Sequence, residues 1–220
     1  MHATDAVPTL SPGLVHLRRP DARSAALHQL VGATLADRAG GVLWVDAGGD
    51  AGTLRLDDHL PRGRGLAAVR VARAFTAYQH HALVARAVRE AGPRTGLVVA
   101  PCTAALYRDD DVPGYLGRDL LSSALATLAE LARAVDVPVV VTTPGDDADH
   151  HRLVADHADR TVTAERTRAG LRFVGPGTET TVYRDAGGWQ TTIPYWVELF
   201  GCVCDGAPAT APPGPTPVEG

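Results

Sequence analysis

The side chains best equipped for chemistry in this chain are histidine, aspartate and arginine, and they fall in clusters. Asp146, Asp147, Asp149, His150 and His151 lie close together, followed by Asp156 and His157. Imidazoles and carboxylates are the usual ligands of divalent metals. On a helix, His150 and His157 lie two turns apart on roughly one face. Asp149, His150 and His157 are therefore candidate ligands for a metal-dependent hydrolase. The plainer reading is an acidic helix start with solvated histidines, since aspartate is favourable near a helix N-terminus.

The cations form two further groups, Arg18, Arg19 and Arg23, and then Arg62, Arg64, Arg70 and Arg73. Arginine suits phosphate contacts, so Arg18, Arg19, Arg62 and Arg64 are candidate contacts to single-stranded DNA. All 21 basic residues are arginine; there is no lysine. The formal charge is −4 and the pI about 6.1, so no global positive field draws in nucleic acid. Cys102, Cys202 and Cys204 are too few for a disulfide framework and are expected to pack as small apolar residues. No Ser-His-Asp arrangement stands at a recognisable nucleophile elbow.

These groups must be positioned by a fold, and 220 residues suffice for one domain with a sizeable core. No run approaches the roughly 18 apolar residues of a membrane span. The first residues carry no secretion pattern, and a cytoplasmic location is expected. Short apolar runs at 13–17, 42–45, 97–100 and 137–143 read as buried strands, with a further strand at 66–74. Helical spacing covers 22–39, 76–91 and 117–135. Alternating strands and helices predict a mainly parallel sheet with helices on both faces. Runs at 160–167, 170–174, 180–184 and 189–193, joined by glycine-rich turns, predict an antiparallel extension. The expected organisation is a flexible N-terminus (1–12), one α/β domain (13–205) and a disordered Pro/Gly-rich tail (206–220). Trp189, Tyr195, Trp196 and Phe200 concentrate aromatics near the end of that domain, as a core closure or a partner surface.

The stretch Val71-Ala72-Arg73-Ala74-Phe75-Thr76-Ala77-Tyr78-Gln79-His80-His81 resembles the RecA/RadA recombinase family, in which an Ala-Arg-Ala-aromatic strand runs into a helix. His28-Gln29-Leu30 is similar to the residues after the family's P-loop, and the order of elements over roughly 13–195 also fits. The resemblance implies a RecA-like P-loop fold, with a phosphate cradle at Leu17 to Ser24. There the catalytic pattern is degenerate. Leu17 and Ala22 stand at the glycine positions, Arg23 replaces the lysine, and only Ser24 fits. Arg23 and Ser24 are the remaining candidates for a nucleotide. Asp46-Ala47-Gly48-Gly49 offers no glutamate to polarise water, Val98-Val99 runs into Ala100-Pro101 instead of an aspartate, and Thr142-Thr143-Pro144 replaces the polar γ-phosphate sensor. A bound ATP is not expected, nor its hydrolysis.

The same resemblance implies that the strand holding Ala72 and Ala74 accepts a phenylalanine-containing peptide from a recombinase-type partner by strand addition, with Ala72, Ala74 and Phe75 as the partner-binding residues. His80 and His81 are expected at solvent or the core edge. The alternatives are a regulatory protein with residual nucleotide binding, and a phosphoesterase-like hydrolase, since Asp149-His150-His151 also resembles the motif of a metal-dependent phosphoesterase family.

Overall fold

The computed structural model describes residues 7, 8, 10–61, 63, 65–108, 112–143, 148–168, 170–176, 178–185 and 188–191, the last two stretches as backbone. Strands β1 (Gly13–Arg18), β2 (Gly41–Asp46), β3 (Val69–Arg73), β4 (Thr95–Ala100), β5 (Pro138–Thr143) and β6 (Arg160–Thr167) alternate with helices. The helices are α1 (Ala26–Asp37), α2 (Thr53–Asp57), α3 (Ala77–Glu90), α4 (Gly114–Val135) and α5 (Ala148–His157). β7 (Gly170–Gly175), β8 (Thr178–Asp185) and β9 (Gly188–Thr191) complete a sheet of nine strands in the order β3-β2-β4-β5-β1-β6-β7-β8-β9. Every pairing from β3 to β6 is parallel, and those from β6 to β9 are antiparallel. The expected α/β class, the parallel sheet and the antiparallel extension are all present.

The central strands are apolar on both sides because both sheet faces are covered. Val15, Leu17, Val42, Trp44, Leu97, Val99 and Val140 pack with α1 on one face. Leu14, Leu43, Val45, Val98, Val139 and Val141 pack with α3 and α4 on the other. Each fully buried Val or Leu contributes about 1.5–3 kcal/mol. Val7 and Leu10, from the stretch expected to be flexible, are buried in the first of these cores. The expected tail (206–220), the aromatics of 192–200, Cys202 and Cys204 lie outside the described residues.

Local chemistry sets the ends of the elements. α1 begins at Ala26, later than the periodicity predicts. The Asp21 carboxylate accepts from the Arg23 N–H at 2.8 Å and its carbonyl accepts from the Ser24 N–H at 3.2 Å, so a turn occupies those positions. α3 begins with a reciprocal cap. The Thr76 hydroxyl accepts from the Gln79 N–H at 3.2 Å, and the Gln79 side chain accepts from the Phe75 N–H at 2.9 Å. Inside α1, Gly32 faces the turn after α2, and a Cβ there would stand 2.0 Å from the His59 carbonyl oxygen. Gly32→Ala is expected to cost about 1–3 kcal/mol; an unchanged melting temperature would show that the turn yields freely. Among the described residues, no helix is long and apolar enough to cross a membrane.

Candidate functional site

Ligands of open parallel sheets bind outside the carboxyl ends of the strands. Five strand ends converge there in this chain, and the residues just beyond them form one buried polar assembly. Arg19, one residue past β1, is 3% exposed. Its two terminal nitrogens donate to the two carboxylate oxygens of Asp50 at 2.9 and 3.0 Å. This is the two-pronged geometry that makes guanidinium a strong partner for carboxylate. Arg19 Nη2 also lies 3.1 Å from Cys102 Sγ, and the Cys102 thiol reaches Asp50 Oδ2 at 3.4 Å.

Asp46, the last residue of β2, is fully buried and divides its oxygens. Oδ1 accepts from the Asp50 N–H at 3.0 Å and Oδ2 accepts from Arg73 Nε at 3.0 Å. Arg73 closes β3, so a continuous polar chain runs from the outer strand of the sheet to the ends of β1 and β4. Its two guanidinium groups and two carboxylates cancel in charge.

Burial alone would lower the Arg19 pKa, but the hydrogen bond and charge of Asp50, helped by Cys102, raise it. Burial pushes the Cys102 thiol up to about 11, reinforced by Asp50 and opposed by Arg19. That thiol is a poor nucleophile at neutral pH. Cys102 has the left-handed φ of 52°, an uncommon conformation for a residue with a Cβ. It is held there by its N–H donating to Thr142 Oγ1 at 2.9 Å, with the next N–H, of Thr103, donating to the Thr142 carbonyl at 3.2 Å. A Cβ on Gly48 would come within 2.8 Å of Cys102 Sγ, so glycine is needed for the β2 loop to close over the thiol.

A second polar group lies on the α5 side of the sheet. His16 Nε2 and His151 Nδ1 both meet Thr143 Oγ1, at 2.9 and 2.6 Å, with ring centroids 5.5 Å apart. The hydroxyl has one proton, so it donates to one ring and accepts from the other. Burial, followed by the charges of His151 and Arg18, pulls the His16 pKa down to about 4. His80 is likewise lowered to about 4 by burial, with His81 adding to the effect. Its Nδ1 meets the Tyr107 hydroxyl at 2.8 Å. The expectation of His80 at solvent or the core edge is therefore corrected: α3 turns it fully inward, beneath the edge-on ring of Tyr107.

Arg23 and Ser24 do not converge on a common point. Arg23 is exposed, whereas Ser24 is buried with its Oγ accepting from the Ala26 N–H at 3.3 Å. The cation that enters the crevice is Arg19. This corrects its place among exposed DNA-contact candidates: burial and the Asp50 fork remove it from any phosphate. Arg18 is exposed as expected, and Arg62 and Arg64 lie outside the described residues. His28, read with Gln29 and Leu30 as a family marker, donates from Nε2 to the Asp50 carbonyl at 2.9 Å and lies against Trp44 and His59. The roles of Asp50 and Cys102 were missed by sequence reasoning; the only signal was the Asp46-to-Asp50 spacing after an apolar strand.

Asp149, His150 and His157 are not drawn into one cluster. His157 Nδ1 donates to the Leu153 carbonyl at 3.0 Å, leaving Nε2 to accept from the Ser122 hydroxyl at 3.1 Å. No group of three or more His, Cys, Asp or Glu among the described residues is placed to hold a metal.

β3 pairs with β2 on one side and forms the outer strand of the sheet. Ala74 is buried, Ala72 is half-buried, and Val71 and Phe75 are 45% and 70% exposed. A groove of about 420 Å³ opens between β3 and α3, lined by Leu43, Ala72, Leu83 and Ala87 among others. With the geometry of both the crevice and the edge in view, the sequence as a whole matches no protein-family model and no curated protein.

Proposed function

We propose that this chain is a RecA/RadA-like protein that acts by contact rather than by ATP hydrolysis, accepting a peptide of a recombinase-type partner along β3 in DNA recombination or repair. The observation that carries the reading is the side of β3 that no strand pairs with among the described residues. It presents backbone donors and acceptors, a groove beside the small Ala72, and the exposed Phe75 at its end. Strand addition uses these features, with main-chain hydrogen bonds for affinity and a pocket for one side chain.

The crevice supports the non-catalytic half of the proposal. A phosphate cradle needs free backbone N–H groups and an uncommitted cation. Here Arg19 is committed to Asp50, and Arg73 to Asp46. A polyphosphate would have to displace a buried carboxylate. The RecA-like assignment rests on the order of the elements and on the strand that runs through Ala72-Arg73-Ala74 into the capped start of α3.

Two measurements test the reading. Mg-ATP at millimolar concentration is expected to leave the melting temperature unchanged, because a ligand of the folded state must raise it; a clear rise would overturn the non-catalytic assignment. Capture of the host recombinase by the full chain is expected to fall about tenfold or more in Ala72→Glu, which fills the space beside the small Ala72 with a long polar side chain. Capture that ignores this substitution, or no capture, removes the β3 reading. Salt-dependent binding of single-stranded DNA through Arg18 would instead favour a nucleic-acid partner.

A further inference from the structure

The edge of the sheet differs in charge from the rest of the molecule. The chain as a whole carries −4, yet the charged residues lining the groove beside β3 are Arg70, Arg86 and Glu90. A second groove, of about 320 Å³, continues from it past Leu43 and Arg70 to Arg94 and Thr95 at the start of β4. The two grooves adjoin at Leu43 and Arg70, which line both, and together they carry three guanidinium groups and one carboxylate on their walls. Glu90 is shared, accepting from Arg86 Nε at 2.5 Å and from Arg70 Nη1 at 3.4 Å. The Arg70 and Arg86 side chains are mostly exposed, and Arg94 has no carboxylate partner among the described residues. Arg73, at the other end of β3, is already neutralised by Asp46. The surplus positive charge is thus concentrated at the start of the strand, beside Arg70 and Arg94.

We infer that the occupant of this edge is an acidic, extended segment of another protein, with one apolar side chain beside Ala72 and carboxylates meeting Arg70, Arg86 and Arg94. This rests on the docking reading above and adds the chemistry of the partner. Register supports the division of labour. Arg70 and Ala72 are paired with Leu43 and Val45 of β2, so all four side chains lie on the face that α3 covers. The small Ala72 leaves room under α3, and Arg70, two residues away on the same face, stands over the adjoining groove. An apolar guest residue and an acidic one two positions away would face the same side, as strand alternation requires.

Charge also rejects the competing occupants. A second copy of this chain paired through β3 would bring Arg70 and Arg73 of both strands together, and like charges on facing edge strands oppose pairing. A nucleic acid would satisfy the guanidinium groups, but it offers no row of N–H and C=O groups to the open side of β3. A peptide strand satisfies both.

The test selects binders of the intact protein from a displayed library of random peptides of about a dozen residues. The winners are then measured as synthetic fluorescent peptides. The expected winners carry an apolar residue flanked by Asp or Glu. Their affinity should fall at least about tenfold in the double variant Arg70→Glu, Arg94→Glu, both exposed positions, and recover when the peptide's acids are changed to lysine. Raised salt should weaken the wild-type complex in the same direction. Neutral or basic winners, no winners, or affinities indifferent to the double variant overturn the acidic partner. Ala72→Glu separates the two levels. If it abolishes binding of neutral winners, the docking site stands and only its charge preference falls; if it leaves all binding intact, both fall. Displacement of the peptide by a single-stranded oligonucleotide that depends on the same two arginines would give the edge to nucleic acid and overturn the inference.

Discussion

Stability is expected to collapse between pH 6.5 and 4. His16 and His80 are both fully buried and both titrate near 4 in the fold, against 6.5 for the free side chain. A lowered folded-state pKa means that the unfolded chain binds protons first as pH falls. The contribution of each group is complete above about 6.5, declines as pH drops, and is gone below about 4. At 1.36 kcal/mol per pH unit of displacement, each histidine is worth about 3 kcal/mol. The two together are comparable with the entire stability of a typical domain, about 5–15 kcal/mol. His28, also lowered chiefly by burial, acts in the same direction. The geometry explains why neither site accepts a charge. A proton on His16 would place a charge in a fully enclosed site, facing the His151 ring and the Arg18 cation. Among the described residues His80 has the Tyr107 hydroxyl at its Nδ1 and no partner at Nε2, with the His81 ring adding to the cost of a charge. Urea denaturation across this pH range is expected to show the midpoint falling steeply, and the double variant His16→Gln, His80→Gln should flatten that slope even if it starts less stable. Equal slopes in the two proteins would assign the acid sensitivity elsewhere.

The second large effect concerns Asp50. Its removal in Asp50→Ala leaves the Arg19 guanidinium buried with only the Cys102 sulfur beside it, and breaking one half of a buried ion pair costs about 3–5 kcal/mol. Replacing both partners by apolar groups of similar size, as in Arg19→Met with Asp50→Leu, should restore most of the loss or even stabilise the fold. The backbone bonds of Asp50 to Asp46 and His28 survive either change. Chemical denaturation of the single and double variants distinguishes a closed structural plug from a site kept polar for a ligand. If the double variant is as unstable as the single one, the crevice depends on the charges themselves and the plug interpretation is wrong.

The fold was largely legible because its strands are buried on both sides. Val42 to Val45, Leu97 to Ala100 and Val139 to Val141 are continuous apolar runs that fit few other states, and each lies in a strand of the parallel part of the sheet. Errors fell where local hydrogen bonds override periodicity. The strand expected from Leu66 starts at Val69, because a 3-10 turn takes Leu66–Ala68. α4 starts before Gly117, which reads as a boundary but lies inside the helix, where a Cβ would meet the Tyr107 carbonyl oxygen at 2.3 Å.

The site was much less legible, for a physical reason. Arg19 and Asp50 are 31 positions apart, Arg19 and Cys102 83, and His16 and Thr143 127. Only the folded sheet brings them together, and no local pattern marks Arg19 rather than its neighbours Arg18 and Arg23 as the buried cation. The residues around β3 are contiguous in sequence, yet the structure separates them: Ala72 lines the groove, while Ala74 is buried beyond the end of the strand. Val71 and Ala72 are set by strand alternation, and Phe75 by the reciprocal cap at the start of α3.

Asp46 gives the two regions a shared reporter. One of its oxygens holds Arg73 on the outer strand, and the other holds the amide proton of Asp50 in the crevice. A guest strand that, in pairing with β3, displaced the half-exposed Arg73 side chain would leave Asp46 fully buried with half its partners gone. The local geometry would loosen first at the Asp50 amide, whose proton would then exchange with solvent sooner than before. Hydrogen–deuterium exchange at that one amide would register occupancy of an edge that Asp50 itself never touches.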